Sequence, residues 1–185
     1  MVAAEDMAEH MGVARAVAVE VVGPLRARIL RPGLPLEQSV YPGDDHPGAT
    51  HVAVLVSGTS GSDADEGDLF DDEVVVAVGS VLEEDPPPVL AGSGEVAAAA
   101  PGGRFWRVRG MATAEGWRSR GLGGAVLHAL LERAAAGGAE VVWCNARLPA
   151  IAFYRRADFR EVGGVFEAPG IGPHVVMWRA MAEPL

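Results

Sequence analysis

Residues 104–146 constrain the fold of this chain more than any other stretch. "RFWRVRGMAT" reads as a strand, "AEGWRSRG" as a tight connection, and Leu122 to Ala136 as a helix stopped by Gly137-Gly138. "AEVVWCNA" follows as a continuous apolar run, the pattern of a strand covered on both faces. Within the helix, Leu122, Val126, Ala129, Leu130 and Arg133 recur at helical spacing, so one face is apolar at its start and long-chained at its end. Strand, helix and doubly covered strand in succession require a sheet with helices on its faces.

The flanking segments extend that pattern. "ARAVAVEVV" (14–22) reads as a candidate first strand whose alanines leave helix open, and "GPLRARILRPG" as a short helix with Pro24 in its first turn and Pro32-Gly33 as its stop. "LPLEQSVYPGDDHPGA" is loop, punctuated by two Pro-Gly pairs. "THVAVLV" and "EVVVAVGSVL" are β-branched runs that read as adjacent strands. "LPAIAFYRRA" gives a short helix opened by Pro149, and "FREVGGVFEA" and "HVVMWRAM" close the chain as two strands. The low-complexity connections 58–72 and 84–103 read as exposed, flexible loops. No internal repeat interrupts the order. The expected architecture is a single domain over 1–185: a mixed α/β sheet of about six to seven strands flanked by helices.

Composition narrows the function. At 185 residues, 49% of them apolar, the chain can bury a core without staples and is not a disordered segment. A formal charge of −10 argues against nucleic acid as the main partner and suits a cationic substrate such as an amine. The single cysteine, Cys144, forms no internal disulfide and reads as a buried thiol in a reducing cytoplasm. "MVAAEDMAEHMG" carries acids where a secretory signal carries bases, and no apolar run reaches the roughly 18 residues of a membrane span. A soluble cytoplasmic protein is expected, with no membrane partner and with a homodimer compatible. The acids between Asp63 and Glu73 fail the calcium-loop spacing, because Gly67 and Val74 stand where ligands are needed. His46 and His51 have no cysteine or second pair beside them, so no metal is expected.

The chemistry concentrates in "WRSRGLGGAV", Trp117 to Val126. Glycines between a strand and a helix can simply relieve backbone strain. They can also expose N–H groups to a phosphate at the positive end of the helix dipole, with Arg118 and Arg120 adding charge. Two common phosphate motifs fail here. The dinucleotide fingerprint needs glycine where Val126 stands and an acid where Asn145 stands, and the P-loop needs a Gly-Lys-Ser/Thr that the chain lacks.

The turn resembles the cofactor signature of the GNAT superfamily of N-acetyltransferases, Arg/Gln-x-x-Gly-x-Gly/Ala. Arg118-Ser119-Arg120-Gly121-Leu122-Gly123 matches it and Gly124 continues it. In that family the turn holds the pyrophosphate of acetyl-CoA. The resemblance further implies a bulge in the preceding strand at Met111-Ala112-Thr113, whose freed backbone groups bond the pantetheine and the thioester carbonyl. "VVWCNARLPAIAFYRRADF" is similar to the family's later motif, with Asn145, Ala150, Phe153, Tyr154 and Phe159 in the matching places and Asp158 where glycine is usual. An ordinary strand end at 111–113 and a half-buried helix aromatic at Tyr154 are the plain structural alternatives.

The resemblance, strongest over 104–181, implies an acetyl-CoA-dependent N-acetyltransferase in which an amine attacks the thioester directly within a ternary complex. Tyr154 would protonate the departing thiolate, since a neutral phenol of pKa near 10 can donate to a thiolate whose thiol has pKa near 8.5. Asp44, Asp45, His46 and Glu83 are the candidates for accepting the amine's proton, each also readable as a surface residue. A non-catalytic acyl-CoA-binding or regulatory domain of the same fold is the alternative.

Overall fold

The computed structural model describes residues 13–57, 69–70 and 73–181, so the expected loop 58–72 lies, apart from 69–70, outside the described residues. The elements in chain order are β1 (Ala14–Val17), α1 (Val19–Leu30), β2 (Thr50–Ser57), β3 (Leu69–Phe70) and β4 (Glu73–Glu83). Then come α2 (Pro88–Ala91), α3 (Gly94–Ala99), β5 (Phe105–Thr113) and α4 (Leu122–Ala136). β6 (Val141–Arg147), α5 (Ile151–Arg155), β7 (Arg160–Ala168) and β8 (Gly172–Ala180) complete the series. Seven strands run in the order β1-β2-β4-β5-β6-β8-β7, with β3 paired to β4 off this path. Parallel pairing of β5 with β6 beside antiparallel β1–β2, β6–β8 and β7–β8 makes the sheet mixed, as expected from the sequence.

The chain divides into two compact units, Met1–Ser80 with Gly110–Leu130, and Val81–Arg109 with Leu131–Leu185. In the first, Val21, Val22 and Leu25 of α1 bury against Ala53 and Leu55 of β2, Val75 and Val78 of β4, and Ala112 of β5. This burial corrects the expected first strand. Val21, Val22, Leu25 and Arg26 form one face only in a helix, so β1 stops at Val17 and α1 takes the valines. Pro24 consequently lies inside α1 rather than in its first turn. The hydrogen bond it forgoes would have reached the carbonyl of Glu20, a residue exposed to water. On β4, a Cβ at Gly79 would crowd Met111 Sδ, with Val126 Cγ1 and Leu130 Cδ1 each 2.9 Å away, so this glycine lets α4 approach the sheet closely.

In the second unit Leu90, Val96 and Ala100 bury against Val141, Trp143, Val176 and Trp178. The stretch 84–103 therefore contains two short helices, α2 and α3, where the sequence reads as loop. Three buried apolar residues spread through alanine, glycine and proline give no period to detect. Helix α4 has the expected bounds, but its buried stripe is Leu122, Val126, Leu127, Leu130, Leu131 and Ala134. Arg133 is exposed, its guanidinium 6.0 Å from the Trp106 ring centroid.

Helix α5 ends in a Schellman motif. Phe159 N–H reaches back to Tyr154 C=O at 3.1 Å and Asp158 N–H to Arg155 C=O at 3.1 Å. Asp158 takes the left-handed position, φ 63°, that glycine occupies at least strain. Asp158→Gly is expected to stabilise the protein by about 1 kcal/mol, raising Tm by roughly 2–4 °C in thermal unfolding.

Candidate active site

The glycine-rich turn is built by the junction of β5 and α4. Strand β5 ends at Thr113, Ala114 N–H bonds Val76 C=O at 2.9 Å, and a 3-10 turn spans Glu115–Trp117. Ser119 and Gly121 then adopt left-handed backbone, φ 62° and 83°, before α4 begins at Leu122. A left-handed residue followed by right-handed helical residues turns successive N–H groups to one side, an arrangement that holds anions. Gly121 C=O accepts the N–H of Ala125 at 3.0 Å, so Leu122, Gly123 and Gly124 lie in the first turn, whose amides have no acceptor within the helix. The positive end of the α4 dipole adds to them. A Cβ built on Gly121 or Gly124 would meet nothing within 4 Å among the described residues. Packing inside the protein does not require glycine at Gly124, and its backbone is open to a ligand.

The two arginines of the turn are exposed and loosely held. Arg118 Nε donates to Thr113 C=O at 3.4 Å and its Nη1 lies 3.8 Å from Glu115. Arg120 stacks over Trp117, 4.9 Å from the ring centroid. Both remain exposed, so either can meet an anion at little desolvation cost.

Upstream, β5 is interrupted. Its parallel pairing with β6 covers Phe105–Arg107 against Val141–Trp143 and goes no further. On its other side, Glu84 N–H bonds Phe105 C=O and Ala114 N–H bonds Val76 C=O. From 105 to 114 is nine steps along β5, whereas 76 to 84 is eight along β4, so β5 carries one extra residue. Gly110, at φ 62°, is where the strand leaves extended backbone. The irregularity thus immediately precedes Met111, Ala112 and Thr113, which lie in the last part of the strand. Ala112 is buried in the α1 core, while Met111 and Thr113 are half-buried.

Beside Gly110 lies a buried polar cluster that the sequence did not disclose. Arg26 of α1 is fully buried, with Nη1 donating to Asp44 Oδ2 at 2.7 Å and Nη2 to Ser80 Oγ. Its guanidinium carbon lies 5.0 Å from the Tyr41 ring centroid. Asp44 Oδ2 also accepts Tyr41 N–H at 2.9 Å, and His51 Nε2 donates to Asp44 C=O at 2.9 Å. Ser80 Oγ bonds His51 Nδ1. Asp44 is therefore committed to Arg26 and buried, whereas Asp45, His46 and Glu83 are exposed. Arg26 shares its stretch of sequence with Arg28 and Arg31 and reads as one more solvated charge; the isolated Gly110 inside a strand pattern was the available signal.

In the second unit, Asn145 lies on β6 opposite Val176, its Oδ1 buried with no partner among the described residues. Ala150 ends the 3-10 turn Leu148–Ala150 that leads into α5. Tyr154 of α5 is 5% exposed, with Phe153 edge-on at 5.0 Å and Phe159 tilted at 5.4 Å between ring centroids. Burial pushes its phenol well above the ordinary range, and the neighbouring Cys144, to which the hydroxyl is hydrogen-bonded, adds to the shift. Burial likewise raises the Cys144 thiol, against the lowering effect of the Tyr154 hydrogen bond. Tyr154 is a neutral hydrogen-bond donor, and Cys144 an inert thiol.

Among the described residues no group of three or more His, Cys, Asp and Glu is placed to hold a metal ion, and no helix is long and apolar enough to cross a membrane.

Residues 59–159, more than half the chain, match the Acetyltransferase (GNAT) family. The chain belongs to that family. This GNAT protein is 29% identical over 167 residues to the uncharacterized N-acetyltransferase YitI of Bacillus subtilis, covering 90% of this chain and 95% of the relative. Its fold is similar to that of a GCN5-related N-acetyltransferase from Kribbella flavida, with a TM-score of 0.61 at 18% identity over 94% of this chain and 99% of the other. It is also similar to an aminoglycoside 6'-N-acetyltransferase complexed with coenzyme A, with a TM-score of 0.55 at 12% identity over 93% and 99% of the two chains. The GNAT chain is an acyl-CoA-dependent N-acetyltransferase.

Proposed function

We propose that this acetyltransferase transfers the acetyl group of acetyl-CoA to a primary amine, and that the turn from Arg118 to Gly124 holds the donor's pyrophosphate. The observation that carries this reading is the start of α4, where exposed Gly124, which no contact among the described residues requires, leaves the backbone open to an anion. Arg118 and Arg120 supply charge-assisted donors beside it. Acetyl-CoA supplies an activated acyl carbon and a thiolate leaving group. Backbone groups of Met111, Ala112 and Thr113, beyond the irregularity at Gly110, align the pantetheine and polarise the carbonyl.

The acceptor nitrogen attacks as its free base, directly and without an acyl-enzyme. Tyr154 then gives its proton to the departing sulfur, the proton that the acylated nitrogen sheds passes to water, and the phenolate takes a proton back from water. Burial raises the Tyr154 pKa and keeps the phenol protonated until the thiolate forms. Asn145, Ala150 and Phe153 contribute to the donor site beside Tyr154 in this reading. The whole chain acts as one acetyltransferase domain.

A panel of primary amines incubated with acetyl-CoA tests the reading. At least one is expected to yield its acetylated product with stoichiometric release of free thiol. A panel spanning small amines, amino acids, peptides and aminoglycosides that gives no product would overturn it.

A further inference from the structure

We propose that Arg26 is a positioning residue of the acetyltransferase: its buried guanidinium props open the bulge of β5 at Gly110 and thereby sets the backbone of Met111–Thr113. The inference rests on the role given above to Met111–Thr113 and adds the device that holds those residues in place.

A side chain on β5 would normally occupy the space that Arg26 fills. A Cβ at Gly110 would fall within the guanidinium, with Cζ only 2.7 Å away. The extra residue in β5 and the left-handed φ of Gly110 remove that side chain and bend the strand at this point. Arg26 is held in the gap from several sides. Asp44 and Ser80 take its two terminal nitrogens, and the Tyr41 ring covers its face. Ser80 in turn bonds His51, whose other nitrogen donates to the Asp44 carbonyl. A planar fork with fixed directions can satisfy a carboxylate and a hydroxyl while lying flat against a glycine backbone, whereas an ammonium cannot.

Burying a guanidinium fully is expensive, and a well-packed apolar group would stabilise the same space equally well or better. Stability therefore does not account for a cation here. A rigid cation held by Asp44 and Ser80 does account for a strand kept out of register just before the segment that must align a thioester. The same cluster ties the bulge to the connection between α1 and β2, since Tyr41 and Asp44 both belong to it.

Arg26→Lys keeps the charge and loses the fork; Ser80→Ala removes the Ser80 hydrogen bond and leaves the ion pair with Asp44. For both, kcat, the KM for acetyl-CoA and the CoA-induced rise in Tm are measured on protein shown to be folded by circular dichroism. Arg26→Lys is expected to lower kcat about tenfold or more and Ser80→Ala about threefold or more, with the acetyl-CoA KM and the CoA shift close to wild type. If Arg26 serves packing alone, both variants melt earlier but turn over at the wild-type rate per folded molecule, which overturns the inference. If Arg26→Lys does not fold, Ser80→Ala decides alone: kcat within twofold of wild type counts against Arg26 as a positioning residue. Wild-type protein that acetylates no amine would instead refute the functional reading on which this one rests.

Discussion

Gly124→Glu is expected to weaken acetyl-CoA binding about a hundredfold or more, because it places a carboxylate at the proposed pyrophosphate site and like charges in contact cost several kcal/mol. The fold should tolerate the change. Gly124 is in the first turn of α4, a Cβ there meets nothing within 4 Å among the described residues, and an acid near a helix N-terminus is favourable to the helix itself. The same substitution thus moves stability and affinity in opposite directions, which few ordinary lesions do. Gly124→Ala is the milder control. It should raise stability by up to about 1 kcal/mol through helix propensity and still weaken the ligand, since its methyl intrudes on the close approach of backbone to phosphate. Isothermal titration with acetyl-CoA and thermal unfolding of the two variants check both halves.

Tyr154→Phe should lower kcat about a hundredfold at unchanged KM for acetyl-CoA, the scale on which a single general acid contributes. Phenylalanine preserves the ring contacts with Phe153 and Phe159, so loss of packing does not enter. The pH dependence adds a sharper mark. Because burial raises the phenol pKa, Tyr154 stays protonated through pH 10, and the wild-type kcat profile should show no fall near pH 10 from its ionisation. Linkage has the matching sign. The folded pKa lies above the unfolded value, so this group's contribution to stability is complete below about pH 10 and declines as pH rises further. The phenylalanine variant loses that decline.

Much of this was legible in the chain. Helix α4 stands at its expected bounds because its apolar spacing is regular and Gly137-Gly138 ends it. Val141–Cys144 formed a strand because both of its faces are covered. The strand–turn–helix junction at Arg118–Gly124 was legible because glycines clustered between an apolar strand and a periodic helix mark a turn. Val19–Val22 misled because β-branched residues favour strands locally, while burial of Val21, Val22 and Leu25 against β2 and β4 decided for a helix. Helices α2 and α3 were hidden because each is anchored by a single fully buried side chain, Leu90 and Val96. The Arg26 cluster was the least visible part. Its members come from α1, the following connection, β2 and β4, and no local spacing announces that residues 26, 44, 51 and 80 meet. Asp44, in particular, looked like one more acid in a solvated loop and proved to be a buried partner.

The most direct test of the pyrophosphate cradle is thermal unfolding of wild type and Gly124→Glu with and without coenzyme A. At about 100 times its dissociation constant, CoA should stabilise the wild type by about 2.7 kcal/mol, or roughly 5–10 °C in Tm. The Gly124→Glu protein at the same concentration should show almost no shift. A wild type that does not respond to CoA, or a variant that responds as strongly as the wild type, would contradict the assignment of the Arg118–Gly124 turn.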